Sequence, residues 1–305
     1  MKTNFIVLLL IMTTVLSAKE IVVEATRKLN GNLEEPSFFP SYSADGNSIY
    51  FTGNAYTGLW SMDRSSFEIS MITDVPGAGF QPISLTDGSI VFRQDEFISG
   101  RKYTSLFRSS TKGIHRLIDQ KRFLSTTGTA DDQIITRTGN DLVMLDGPSE
   151  SRVDALPAAT ALINADLGLK LLQNGILKDL EPLGNANYIW GQLSPQKNLI
   201  VFTGVGRGTF ICDLDGKLIT DLGLAHVPQW SPDGHFLVFM KDLDDGHQFT
   251  ESEIWISSVD GSQAWMITDT PNRIEMYPQW SPSGKQIIYH SPQGEIFETT
   301  ISIID

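Results

Sequence analysis

A single cysteine, Cys212, is present in 305 residues. Such a chain cannot close an intramolecular disulfide or assemble a thiolate metal cluster. Within Thr209-Phe210-Ile211-Cys212 the thiol has no basic neighbour to activate it, so it reads as a buried strand residue and not as a nucleophile. Histidine is also sparse. His115, His226, His235, His247 and His290 never fall at His-x-x-x-His or His-x-His spacing, and no metal or other cofactor is expected. Positive charge is in deficit: 23 Lys and Arg against 36 Asp and Glu leave a formal charge of −13. A surface of that sign repels phosphate backbones and anionic bilayers, which argues against nucleic acid and against a membrane surface as partners. A Gly-x-Ser-x-Gly nucleophile elbow is missing as well.

Long apolar runs are confined to the N-terminus. Lys2 is followed by the unbroken run Phe5–Met12 and by the small residues Ser17-Ala18, just before Lys19-Glu20. This is the three-part pattern of a secretory signal peptide. The run falls short of the roughly 20 residues that span a bilayer. Residues 1–18 are therefore expected to be a cleaved leader and residues 19–305 one domain, periplasmic or secreted, with no membrane insertion after cleavage. No cysteine at the junction offers a lipid anchor.

What the chain has in abundance is a repeat. Pro228-Gln229-Trp230-Ser231-Pro232-Asp233-Gly234 recurs as Pro278-Gln279-Trp280-Ser281-Pro282-Ser283-Gly284, and as Pro40-Ser41-Tyr42-Ser43-Ala44-Asp45-Gly46. Weaker copies begin at Pro82 and Gln192. Each is followed by an apolar run that ends on an aromatic, such as Phe236-Leu237-Val238-Phe239 or Ile287-Ile288-Tyr289. A turn proline pre-sets φ, Asp bonds the local backbone and Gly takes positive φ, so each motif is a hairpin turn between two strands. A third strand (Ile254-Trp255-Ile256), a second turn (Val259-Asp260-Gly261) and a fourth strand near Ile267-Thr268-Asp269 complete the unit. Four short strands in roughly 40 residues make a propeller blade. Compact units near Thr126 (with Arg152-Val153-Asp154) and Thr160 bring the expected count to seven four-stranded antiparallel blades, or six if those two merge. The last unit has only three strands of its own, and Glu20–Ala25 is expected to supply the fourth and close the ring.

The Pro-x-Trp-Ser-Pro-Asp-Gly motif, the apolar strand, Ile-Trp-x-x-x-x-Asp-Gly and the final Ile-Thr together resemble the repeat of the TolB-type, WD-repeat-like β-propellers. The resemblance covers nearly all of the chain after residue 18. It implies an all-β propeller and, for many members, an exported partner-binding role. The family also includes propellers fused to peptidases and some lyases, so fold does not fix function.

Two local patterns mimic chemistry. Gly204-Val205-Gly206-Arg207-Gly208 lies between two strands instead of opening a helix, so it reads as a hairpin loop and not a phosphate cradle. Asp242-Leu243-Asp244-Asp245-Gly246, with Glu253 downstream, departs from the calcium-loop pattern at Gly246 and His247, and reads as a solvated acidic hairpin.

In a propeller the first strand of each blade lines the central channel, so the residues just before each motif gather at one mouth. The candidate ligand- or partner-binding residues there are Phe38, Phe80, Gln81, Asn187, Trp190, His226, Arg273, Glu275 and Tyr277, with Phe39, Glu34 and Glu35 nearby. A mixed aromatic and polar rim suits a binding site. The plainer reading of Phe38, Trp190 and Tyr277 is packing between blades. Trp230, Trp280 and Tyr42 are assigned to the inter-blade core. The leading functional expectation is a protein- or peptide-binding scaffold module of the cell envelope, engaging another envelope or extracellular protein, with no assigned catalytic residue. The alternative is a carbohydrate-active, lyase-like propeller with His226, Arg273 and Glu275 in acid/base roles.

Overall fold

A computed structural model describes residues 19–31, 35–130, 133–139, 141–146, 152–153 and 160–304. The expected leader, Glu34 and Asp154 lie outside these residues. Apart from one 3-10 turn at Asn54–Tyr56, every regular element described is a β-strand.

Among the described residues the strands form seven antiparallel sheets, six of them from consecutive hairpins alone. The first contains Phe38–Tyr42, Ser48–Thr52, Thr57–Asp63 and Ile69–Pro76. The second contains Ile83–Ser84, Ile90–Ile98, Arg101–Ser110 and Gly113–Lys121. Leu124–Ala130, Gln133–Thr138, Asp141–Asp146 and Arg152–Val153 make the third, and Ala161–Ala165, Gly168–Gln173 and Ile176–Leu180 the fourth. Tyr188–Leu193, Leu199–Gly204, Gly208–Asp213 and Leu218–Gly223 form the fifth. His226–Trp230, Phe236–Asp244, Phe249–Ser258 and Ala264–Met266 form the sixth. The last sheet holds Met276–Trp280, Gln286–His290 and Ile296–Ile304, and Glu20–Lys28 pairs antiparallel along Ile296–Ile304, from Glu20 opposite Ile304 to Lys28 opposite Phe297.

The fold is thus a β-propeller with six four-stranded blades, and the expectation of seven such blades is corrected. The exception is the unit near Thr160, which has three strands. Only seven residues separate Leu180 from Tyr188. Among them Pro182, the Glu181–Gly184 turn and Gly184 at φ +68° leave no extended segment for a fourth strand.

First strands of neighbouring sheets touch one another. Tyr188–Leu193 meets Ala161–Ala165 and His226–Trp230, which meets Met276–Trp280, which in turn meets Phe38–Tyr42. The first strands therefore surround the axis. Between sheets the motif aromatics pack as expected. Trp280 joins Val238, Ile254 and Ile256 of the preceding blade, and its indole N–H donates to the Gln229 carbonyl at 3.2 Å. Trp230 joins Val201 and Ile211 and donates to the Gln192 carbonyl at 3.3 Å. Tyr42 packs with Ile288 and Ile296 of the last sheet. Each aromatic buries a large area and satisfies its one donor across the blade seam. Cys212 lies fully buried beside Phe202 and Ile200, and burial pushes its thiol up to about 12.

The turns behave as their chemistry requires. The Asp233 carboxylate accepts from the Ser231 hydroxyl and the His235 amide, and Gly234 sits at φ +70°, where a side chain would be strained. Asp45 and Asp260 repeat the arrangement.

Candidate functional site

The entry to the innermost strand carries a backbone feature that recurs around the ring. Phe39 (φ +50°), Gln81 (+50°), Trp190 (+52°), Val227 (+51°) and Tyr277 (+54°) all occupy the left-handed region. Each directly precedes Pro40, Pro82, Gly191, Pro228 or Pro278. Four of the five lie at register shifts, at Phe38/Ser41, Ile189/Gln192, His226/Gln229 and Met276/Gln279. These are bulges, and a bulge turns the side chains before it out of the regular alternation. Holding bulky residues at positive φ costs roughly 1–3 kcal/mol each, a strain the surrounding packing must impose.

The bulges gather aromatic rings into a continuous belt. Phe80 meets Tyr56 edge-on at 5.1 Å between centroids, and Tyr56 stacks on Phe39 at 4.7 Å. Phe39 meets Tyr277 at 4.8 Å and the His290 imidazole at 5.0 Å. His290 also stacks on Tyr277 at 5.5 Å and receives the edge of Phe38 at 5.6 Å. Phe38, Phe39, Tyr56, Phe80 and Tyr277 all stay partly exposed. Further round, Trp190 lies 5.5 Å from His226, whose Nδ1 is 2.7 Å from the carboxylate of nearly buried Asp242. The bond to Asp242 raises the His226 pKa above its usual value. Burial, Tyr56 and Asp242 raise that of Tyr277. His290 is the opposite case: burial lowers it to about 4, so at neutral pH it is an uncharged ring of the belt.

The expected site residues divide. Phe38, Phe80, Trp190, His226 and Tyr277 lie in or beside the belt. Trp190 and Tyr277 also pack against the core of the sixth and seventh sheets, so the packing and rim readings both apply to them. Gln81 and Asn187 are exposed. Arg273 and Glu275 belong to a separate cluster. The Arg273 Nε donates to Glu275 Oε1 at 2.6 Å, and its guanidinium lies over Phe297 at 4.2 Å. Arg273 faces a polar cavity of about 360 Å³ lined by Thr26, Lys28, Thr268 and Thr270.

Glu275 is fully buried. Its Oε2 accepts no hydrogen bond, and Glu253 lies beside it, held by the Thr268 hydroxyl and the Thr270 amide. Burial, together with the Glu253 charge, raises Glu275 to about 7. In its protonated form Glu275 supplies the donor that the pair otherwise lacks. His226 makes no hydrogen bond or ion pair with Arg273 or Glu275, so the three do not form the acid/base constellation that the lyase alternative requires.

Sequence reasoning left Phe39 at the margin of the site and missed Tyr56, Asp242 and His290. Phe39 and His290 follow a pattern: one precedes the motif proline, the other follows the strand aromatic Tyr289. Tyr56, on a 3-10 turn, follows none. The acidic hairpin reading fits Asp244 and Asp245, but Asp242 turns inward to His226. Among the described residues no three His, Cys, Asp or Glu side chains converge as a metal site.

No family model matches the chain. It is 35% identical over 68 residues to an uncharacterized peptidase, YuxL, of Bacillus subtilis, and 28% identical over 116 residues to an uncharacterized protein, Atu1656, of Agrobacterium fabrum. These stretches are 22% and 36% of this chain, and they span only 10% and 38% of the two relatives. Among solved structures it is similar to the WD40 repeats of RRP9, with a TM-score of 0.63 at 10% identity, covering 93% of this chain and 100% of the other. It is also similar to an oligogalacturonate lyase of Vibrio parahaemolyticus, with a TM-score of 0.50 at 11% identity over 87% and 78% of the two chains. TolB of Acinetobacter baumannii gives 0.45 at 16% identity over 87% and 54%. At these identities the likeness to the first two defines the fold alone, a β-propeller.

Proposed function

We propose that the protein is an exported propeller that binds a protein or peptide of the cell envelope through the aromatic belt at its channel mouth. The belt carries this reading. It is a run of partly exposed rings held in place by strained bulges, and rigid aromatic surface is what recognition uses at low entropic cost. The signal-like N-terminus supports export. The pairing of Glu20–Lys28 with Ile296–Ile304 supports a closed ring that holds the mouth rigid. The lyase alternative is not favoured, because its three residues are split between two clusters.

The test is affinity capture from the native envelope with the protein and with a Phe39→Ala/Tyr277→Ala variant. A partner retained by the first and lost by the folded second is the expected result. Equal capture by both overturns the belt as the binding surface.

A further inference from the structure

At the far end of the belt lies a buried cation that pairs with no carboxylate among the described residues. Arg93, on strand Ile90–Ile98, is only 7% exposed. Its guanidinium sits 5.0 Å from the centroid of Phe80, the first ring of the belt. One nitrogen, Nη2, donates to the Leu124 carbonyl of the next blade at 3.0 Å. Among the described residues its Nε is buried with no acceptor, and Nη2 is the one guanidinium nitrogen that makes a hydrogen bond. The nearest acidic side chain on the same strand, Asp95, exerts some attraction but makes no ion pair with it. Asp95 is already occupied by Lys102 at 2.8 Å and by the Thr104 hydroxyl at 2.6 Å. Burial lowers the Arg93 pKa, although a guanidinium stays charged at any ordinary pH. A desolvated cation with an orphaned donor is costly, and an anion brought to it recovers that cost.

Arg93 follows the aromatic Phe92 just as His290 follows Tyr289. The same position in another blade therefore supplies a ring of the belt, and here it supplies a charge beside the belt.

We propose that Arg93 binds a carboxylate of the recognised peptide, one flanked by an aromatic or apolar side chain that packs on Phe80 and Tyr56. This rests on the belt as the peptide-binding surface and adds the chemistry that it selects. A guanidinium is suited to a planar carboxylate, which accepts from Nε or Nη1 alone or from one of them together with the second N–H of Nη2. The formal charge of −13 disfavours a polyanion, whereas a single carboxylate is matched by a single guanidinium.

The experiment uses the full chain with arginine side chains labelled with ¹⁵N, titrated to about 10 mM, a range in which one such contact is detectable. The probes are N-acetyl-phenylalanine as its carboxylate, N-acetyl-phenylalanine amide, and galacturonate. The carboxylate is expected to shift the Arg93 Nε–H resonance and to bind roughly tenfold or more tightly than the amide, the difference that a charged hydrogen bond makes. Arg93→Gln is expected to erase that preference, and Arg93→Lys to retain part of it. Equal binding of acid and amide to the unsubstituted protein overturns the inference while leaving the belt reading intact. An acid that shifts no Arg93 resonance, or tighter binding of galacturonate than of the aromatic acid, also overturns it. The acid–amide comparison needs no variant, so a misfolded Arg93→Gln does not weaken the test. Failure of the belt itself is read separately, from capture with the Phe39→Ala/Tyr277→Ala variant.

Discussion

Glu298→Gln is expected to be the most damaging single polar substitution on the seam between the chain ends. The Glu298 side chain is 2% exposed and holds three groups from three segments. Its Oε2 accepts from Arg27 Nη2 at 2.6 Å and Nε at 3.0 Å, on the strand that pairs with Ile296–Ile304. Its Oε1 accepts from Arg64 Nη2 at 2.8 Å and Nε at 3.1 Å, and from the Tyr42 hydroxyl at 2.9 Å, both in the first blade. Burial, and then the Glu298 charge, raises the Tyr42 pKa, so the phenol stays a donor. Glutamine fills the same space but removes the charge and turns a donor toward donors. Breaking a buried ion pair costs about 3–5 kcal/mol. Arg27 is half exposed and Arg64 about a quarter exposed, so water compensates part of the loss; the expected cost is about 2–3 kcal/mol. For a domain of this size that lowers Tm by roughly 3–5 °C. Thermal unfolding followed by circular dichroism, with urea midpoints at constant m-value, measures it. Arg27→Gln alone should cost less than 1 kcal/mol by the same logic of exposure. A Glu298→Gln loss below about 2 °C in Tm would refute the claim that this carboxylate ties the ends together.

Three further outcomes are expected. Glu275 holds its proton to about pH 7 when folded, against about 4.5 when unfolded, so its contribution to stability is present below pH 4.5 and is lost as the pH rises to 7. Glu275→Gln should flatten the fall in Tm across that window and make the protein more stable than its parent at pH 8; an unchanged pH profile would count against the protonated pair. The imidazole of His226 should titrate above 6.5 by NMR and return to its ordinary range in Asp242→Asn. The raised value means that the stability from this pair is full below pH 6.5 and is lost as the pH passes the folded midpoint, and a midpoint unmoved by the substitution would show that Asp242 is not the cause. Cys212 should resist a thiol-reactive disulfide reagent until the protein unfolds, because the thiol is both buried and pushed up to about 12; prompt labelling of folded protein would contradict the burial.

How far the sequence could be read follows from the range of each interaction. Turns are local: Ser231-Pro232-Asp233-Gly234 carries its own hydrogen bonds and its own φ preference, so the hairpins and their order were legible, and with them the inter-blade places of Trp230 and Trp280. The Thr160 unit misled because Asn174-Gly175 marks a real hairpin, while the loss of its fourth strand depends on the short, broken stretch after Leu180. Arg273 and Glu275 were grouped with His226 because they lie near a motif in the chain. Arg273 and Glu275 pair with each other beside Phe297 instead, and no residue type announces which way the bulge at Met276/Gln279 turns the chain before it.

By itself, then, the chain determined a repeated hairpin chemistry, an acidic surface and an all-β ring of blades, because each arises from residues a few positions apart. Tertiary structure decided which rings meet. Phe39, Tyr56, Phe80, Tyr277 and His290 come from separate segments, and their contact depends on the curvature of the ring and on strain stored at positive φ. It likewise left Arg93 buried without an acid partner among the described residues, a state visible only when the neighbours are in place, since desolvation is a property of the surroundings and not of the residue.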